Sequence, residues 1–259
     1  MISKSAIIGK SARIGKNVQI GNFTTIDDDV VIGDNTWIGN YVNIQNGARI
    51  GEKCQVYASA VIAGNPQDLK FKGEYTTLEI GNNTIIREFV TINKGTASRG
   101  KTVIGHNNLI MANSHIGHDC VIGDHCVIGF NVGMAGEVIV SDWANISGLT
   151  GIHQFSRIGA HAMVGGLSKI VKDIPPYVIA ARDPLTYEGI NSIGLNRRGF
   201  EASKINELKE IYRIIFQEGR NISLALELIE TNFKMTPERD EIIRFIRNST
   251  RGIIKGCKE

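Results

Sequence analysis

Proline is scarce, with five residues in 259, and tryptophan scarcer, with two. No apolar run approaches the roughly 18 residues that a membrane span requires, so a membrane-spanning protein is not expected. Met1 to Lys10 lacks the apolar core of a signal peptide, which argues against export. The four cysteines (Cys54, Cys120, Cys126 and Cys257) share no C-x-x-C spacing. Reduced thiols in a cytoplasmic protein are the expectation. No basic run is interleaved with aromatics, so nucleic acid is not the expected partner. Charge of one sign is also lacking over most of the chain. The first 189 residues hold 16 Lys/Arg and 16 Asp/Glu, whereas Ile190 to Glu259 holds 13 and 10. The net charge of +3 therefore belongs to the C-terminal part, a surface suited to an acidic partner.

Glycine is abundant at 29 residues. It follows no G-x-y period, which excludes collagen and indicates many turns. A different period is present. Of the 28 positions spaced by six from Ile8 to Ile170, 24 are Ile or Val, the exceptions being Asp68, Glu74, Ser98 and Met134. A helix repeats its apolar face at i, i+3, i+4 and i+7, and an isolated strand alternates. A period of six with one β-branched residue per unit fits a short strand and a tight corner. The Gly after the aliphatic residue (Gly9, Gly15, Gly33) fits that corner, where φ can be positive. Three units close a triangular coil of about 18 residues, and stacked coils bury a column of Ile and Val.

The phase is interrupted near 63–79 and 93–103, both polar, which predicts loops that leave the coil and return in register. After Ile170 come Pro175, Pro176 and Pro184, an irregular final coil or linker. Helical signals follow. Ser203 is the expected cap of a helix with Ile205, Leu208, Ile211, Tyr212 and Ile215 inward, ending at Gly219. A second helix is expected over Leu224 to Phe233. A third starts at Thr236 and Pro237, turns Ile242, Ile243, Phe245 and Ile246 inward, and stops at Gly252. The division expected is a β-solenoid over 1–189 and a small helical domain over 190–259.

The chemistry concentrates in Asn113 to Cys120, which carries His115 and His118. With Ile116 inward, both imidazoles lie outside the coil on one side of a corner. Histidine suits general-base work near neutral pH, and Asp119 is placed to hold one ring nitrogen. Residues 18 apart should stack at the strand spacing, so Gly136, Gln154 and Lys172 lie above His118. A glycine there leaves a backbone N–H free for an oxyanion. His125, Trp143 and His161 stack in the same way and read as a surface ladder. A zinc site from His115, His118 and His153 stays open on spacing alone. Cys120 and Cys126 lack an activating frame.

Several segments carry a specific resemblance. They are Pro66-Gln67-Asp68-Leu69-Lys70, Asn113 to Cys120, Gly151-Ile152-His153-Gln154-Phe155, Met163-Val164-Gly165-Gly166, Asp173-Ile174-Pro175-Pro176-Tyr177 and Gly194-Leu195-Asn196-Arg197-Arg198-Gly199-Phe200. With them the chain resembles the UDP-N-acetylglucosamine O-acyltransferases of lipid A biosynthesis, a family of hexapeptide-repeat enzymes. The resemblance implies a left-handed parallel β-helix, since handedness does not follow from the spacing. It implies His118 as the base for the sugar 3-hydroxyl and the Gly136 N–H as oxyanion donor; Asp119 joins them as a catalytic candidate on its adjacency to His118. It implies Asp68, Lys70, His115, His153 and Gln154 around the sugar and acyl donor, Asn191, Arg197 and Arg198 at the nucleotide, and Gly166 bounding the acyl groove. It further implies a cytoplasmic homotrimer that takes a 3-hydroxyacyl group from the phosphopantetheine of acyl carrier protein and needs no metal or other cofactor.

The chain departs from the family at three places. Glu137 stands where a second His is usual, Ile193 where an acidic residue is frequent, and Pro184 where a His lies by the acyl groove. A related acceptor carrying a 3-amino group, or a zinc-dependent trimer of carbonic-anhydrase type, are the alternatives.

Overall fold

A computed structural model describes residues 1–256. From Ile7 to Ile170 the backbone runs as two- to four-residue strands that coil into three parallel sheets, the faces of a triangular prism. It is a left-handed parallel β-helix followed by C-terminal helices. Strands one coil apart pair in register, as Ile8 with Ile26, Ile14 with Ile32 and Ile116 with Met134.

The period of six gives this coil because each unit turns one residue inward. Ile32, Ile38, Ile44, Ile62, Ile86, Ile92, Ile104 and Ile116 are almost completely buried in one continuous core. Each contributes roughly 1.5–3 kcal/mol of transfer free energy. The two interruptions are loops, but shorter than the sequence suggested. Strands persist through Gly64 and resume at Thr77, and persist through Asn93 and resume at Lys101. Val61 pairs with Thr91, and Thr91 with His115. Each insertion therefore adds a whole number of six-residue units, which is why the phase survives both.

The expected role of the corner glycines needs correction. Positive φ falls two residues later, on non-glycine residues such as Asn17, Tyr41, Asp119, Glu137 and Trp143. Asn and Asp tolerate that geometry, while bulkier residues each carry a penalty of roughly 1–2 kcal/mol that packing must offset. The glycines are needed for close approach instead. A Cβ on Gly33 would lie 2.6 Å from the carbonyl carbon of Gly51 in the next coil.

Beyond Ile170 the coil is completed by Val178–Ala181, parallel to Met163–Val164. Thr186–Ile190 folds back antiparallel to it, and Lys255–Gly256 pairs alongside. Four helices lie between: α1 (Ser192–Arg197), α2 (Ala202–Phe216), α3 (Ile222–Asn232) and α4 (Pro237–Arg247). The cap of α2 is Glu201, not Ser203, and the helix ends at Gln217 before Gly219. Asn221 caps α3, which starts at Ile222, two residues ahead of the expected start. Thr236 caps α4 and accepts from Arg239 N, with Pro237 in the first turn as expected, but the helix stops at Asn248 rather than Gly252. Tyr212 of α2 is fully buried and donates to Pro176 O at 2.6 Å, tying the helices to the prism.

Cys54, Cys120 and Cys126 are buried free thiols. Burial pushes Cys120 and Cys126 up to about 12, which removes them as nucleophiles at neutral pH. Cys257 lies outside the described residues.

Candidate active site

The corner after Ile116 assembles the site. Asp119 takes a left-handed φ of 59°, and this turns its side chain to the same side as its neighbour His118, against the usual divergence of adjacent residues. Asp119 Oδ2 lies 2.7 Å from His118 Nδ1. A carboxylate only accepts, so Nδ1 carries the proton of this bond, and in the neutral ring Nε2 is the nitrogen with the lone pair. Asp119 is completely buried, and it also accepts from Thr96 N, Thr96 Oγ1 and Arg99 N. Its own N–H donates to Thr102 Oγ1.

The stacking arithmetic holds at this corner. Glu137 N donates to His118 O, and Phe155 N to Gly136 O, so the three coils lie directly over one another. A Cβ on Gly136 would stand 2.5 Å from both Cε1 and Nε2 of His118. Only glycine therefore admits the ring at this place. In several units an Asp or Asn side chain one coil up takes the N–H at this position, as Asp34 does for Lys16, Asn40 for Asn22 and Asp124 for His106. Gln154 stands above Gly136, and among the described residues no acceptor receives the Gly136 N–H.

A cleft of about 330 Å³ opens over this corner. It is lined by Asp68, Lys70, Glu74, Thr96, Ala97, Ser98, His118, Glu137, Gln154 and Phe155. Asp68 Oδ2 lies 3.9 Å from His118 Nε2, beyond hydrogen-bond reach. Glu137 turns away from the imidazole. It accepts from Ser98 Oγ and pairs with Arg99 Nε at 2.8 Å. Thr96, Ser98 and Arg99 were not singled out in the sequence. The one available signal was that Ser98 breaks the aliphatic phase.

Other expected residues lie outside this cleft. His115 and His153 line a neighbouring trough with Gly133, Ala135, Gly151 and Lys169. His115 shares a 2.7 Å hydrogen bond with Thr91 Oγ1. Burial first, and His118 beside it second, hold His115 below the usual imidazole range. His153 Nδ1 lies 3.0 Å from Gln154 O. Among the described residues of the one chain no three His, Cys, Asp or Glu converge on a metal position, so within one chain His115, His118 and His153 do not form a ligand set.

A second edge of the prism carries the stack His125, Trp143, His161 and Tyr177, with successive ring centroids 4.0, 6.1 and 5.5 Å apart. This is more than a surface ladder. Asn191 caps α1 and donates to His161 O, and Arg198 contacts His161 Nδ1 at 3.2 Å while lying 5.1 Å over Trp143. Arg197 is exposed on the same helix. Gly166 lies on the third edge, exposed above Gly148. Within one chain the structure thus joins Asp68, Lys70, His118, Asp119, Gly136 and Gln154. It does not bring Asn191, Arg197, Arg198 or Gly166 to them.

Comparison with known proteins shows what the chain as a whole is similar to. A family described as UDP N-acetylglucosamine O-acyltransferase, domain 2, matches residues 173–254, and the bacterial transferase hexapeptide family matches 29–64 and 101–136. An acyl-[acyl-carrier-protein]–UDP-N-acetylglucosamine O-acyltransferase of Burkholderia lata is 44% identical over 211 residues, 80% of each chain. The crystal structure of a UDP-N-acetylglucosamine acyltransferase from Bacteroides fragilis matches with a TM-score of 0.97 at 50% identity, covering 98% of this chain and 100% of that one. The enzyme from Francisella novicida matches at 0.96 and 38% identity, covering 98% and 94%.

Proposed function

Because the chain belongs to the family of UDP-N-acetylglucosamine O-acyltransferases, we propose that its own residues carry out that reaction from the His118 corner. The reaction moves a 3-hydroxyacyl group from acyl carrier protein to the 3-hydroxyl of UDP-N-acetylglucosamine, the first step of lipid A biosynthesis. His118 Nε2 removes the hydroxyl proton. The alkoxide oxygen attacks the thioester carbonyl, and the tetrahedral oxyanion accepts from the Gly136 N–H. Collapse of that intermediate breaks the C–S bond, and the imidazolium returns its proton to the departing thiolate. Asp119 keeps Nδ1 protonated and stabilises the imidazolium. No covalent enzyme intermediate and no resident cofactor is required, since both reacting groups arrive on substrates. The observation that carries this reading is the placement of His118 between the Asp119 carboxylate and the bare Gly136 amide.

Asp68, Lys70 and Gln154 border the reacting groups, with His115 and His153 in the adjoining trough. Arg197, Arg198 and Asn191 meet the nucleotide, where guanidinium groups suit phosphate oxygens, and Gly166 bounds the acyl groove. These last four lie on other prism edges than His118, which supports a homotrimer with each site shared between neighbouring subunits. The basic helical part suits acyl carrier protein, an acidic partner. Unpaired buried Cys54, Cys120 and Cys126 fit a cytoplasmic setting. We also retain a division at 189/190 as a working boundary, with the strand Lys255–Gly256 returning to the sheet beside Thr186.

The test is an acyl-transfer assay on purified protein. It offers UDP-N-acetylglucosamine and its 3-amino analogue with acyl carrier protein donors of several lengths. Ester formation on the 3-hydroxyl is expected. Transfer to the amino sugar alone would replace the acceptor in this reading.

A further inference from the structure

The loop over residues 94–100 divides its polar groups between two stacked corner acids. Thr96 N and Arg99 N donate to Asp119 Oδ1 at 2.9 and 3.2 Å, and Thr96 Oγ1 to Oδ2 at 2.7 Å. One coil above, at the same left-handed corner position, Glu137 accepts from Ser98 Oγ and from Arg99 Nε. The Glu137 side chain is only 10% exposed, so its pairing with Arg99 is partly shielded from water. Arg99 thus holds both acids, one through its backbone and one through its guanidinium.

An ionised carboxylate has about four acceptor sites. Three bonds from the loop and one from His118 fill those of Asp119. If the loop lifts, the carboxylate is free to rotate away from Nδ1, and the imidazole loses its fixed tautomer. Glu137 itself stays off the imidazole.

We infer that the Arg99–Glu137 ion pair is a positioning device for the catalytic dyad: it clamps the loop so that Asp119 stays aimed at His118. The inference rests on the reading of His118 as the base. It also gives a role to Glu137 in a position where the family resemblance leads one to expect histidine.

The full-length enzyme is to be made as Glu137→Gln, Arg99→Met and both together. In either single variant kcat should fall about tenfold, as misplacement of a catalytic group does, with KM for the sugar nucleotide within about twofold. The double variant should be no slower than the slower single, since both substitutions open one clamp. If a single variant fails to fold, the charge swap Arg99→Glu with Glu137→Arg replaces it, and should exceed whichever single swap variant folds. A second readout needs no turnover. In spectra of protein carrying ¹⁵N-histidine, His118 should show a protonated Nδ1 and a bare Nε2, and the variants should average the two nitrogens. An inactive wild-type enzyme with this spectral change would leave the clamp standing while removing the proposed reaction. Unchanged kcat, losses that multiply, or His118 resonances that do not move would each overturn it.

Discussion

The imidazole of His118 lies so close to the backbone of Gly136 that a methyl group on residue 136 would stand 2.5 Å from Cε1 and Nε2. The contact is between a side chain and a bare amide, so the ring rather than the coil must yield. Gly136→Ala should therefore keep its thermal midpoint within a few degrees, yet lose about a hundredfold or more in kcat through displacement of the base. Circular dichroism melting and steady-state kinetics together check this. A variant of ordinary activity would show that the ring can move without consequence.

Replacement of the proposed base by His118→Ala should leave a folded and nearly inactive protein. Asp119→Asn is more discriminating. An amide offers an N–H where the carboxylate only accepts, so it permits the imidazole to protonate on Nε2 and lose its basic face to the cleft. The expected loss is about 10²-fold or more in kcat. Equal activity in both pH-matched enzymes would remove Asp119 from the mechanism.

Legibility of the chain depended on whether a feature repeats. Ile residues at sixes disclosed the coil, and the same arithmetic set Gly136 over His118. Asp119 could be named but not oriented, because its side-chain direction depends on a left-handed φ that the sequence assigned to glycine instead. Arg99 and Thr96 were invisible. They sit in an insertion outside the period, and their partners are found only when the loop folds back on Asp119 and Glu137. The link from Arg198 to His161 was hidden for the same reason: it joins an α1 terminus to a prism edge.

His161 provides a pH test of stability. Burial first, and the charge of Arg198 second, push it down to about 4 in the folded protein. The unfolded chain takes up that proton near 6.5. Between these values the unfolded state binds more protons, so this group's contribution to stability is complete above about 6.5 and is lost as pH falls toward 4. Urea midpoints at constant ionic strength should fall less steeply over this window in His161→Gln than in the wild type. Parallel curves would mean that other groups dominate.

Gly166 bears on acyl length. Its position would admit a Cβ with only a 3.3 Å approach to Gly148 O and a 3.8 Å approach to Ser147 Cβ, so a larger side chain there must project outward into the proposed groove. Gly166→Met should shift preference to shorter acyl donors, read from relative kcat/KM across a donor series. An unchanged profile would take Gly166 out of the groove.

His118 and Arg198 lie on different edges of the prism in one chain, which makes the shared site testable by mixing. His118→Ala and Arg198→Ala should each be nearly inactive alone. If each site takes its base from one subunit and its guanidinium from the next, trimers reassembled from equal amounts of the two variants contain sites with both groups intact. Random assortment makes such sites roughly one quarter of the total. Activity should therefore rise to about a quarter of the wild-type value after co-refolding into the proposed trimer, and not after simple mixing of the two folded variants. If both groups served a site within one chain, every site in every mixture would carry a lesion, and co-refolding would restore nothing.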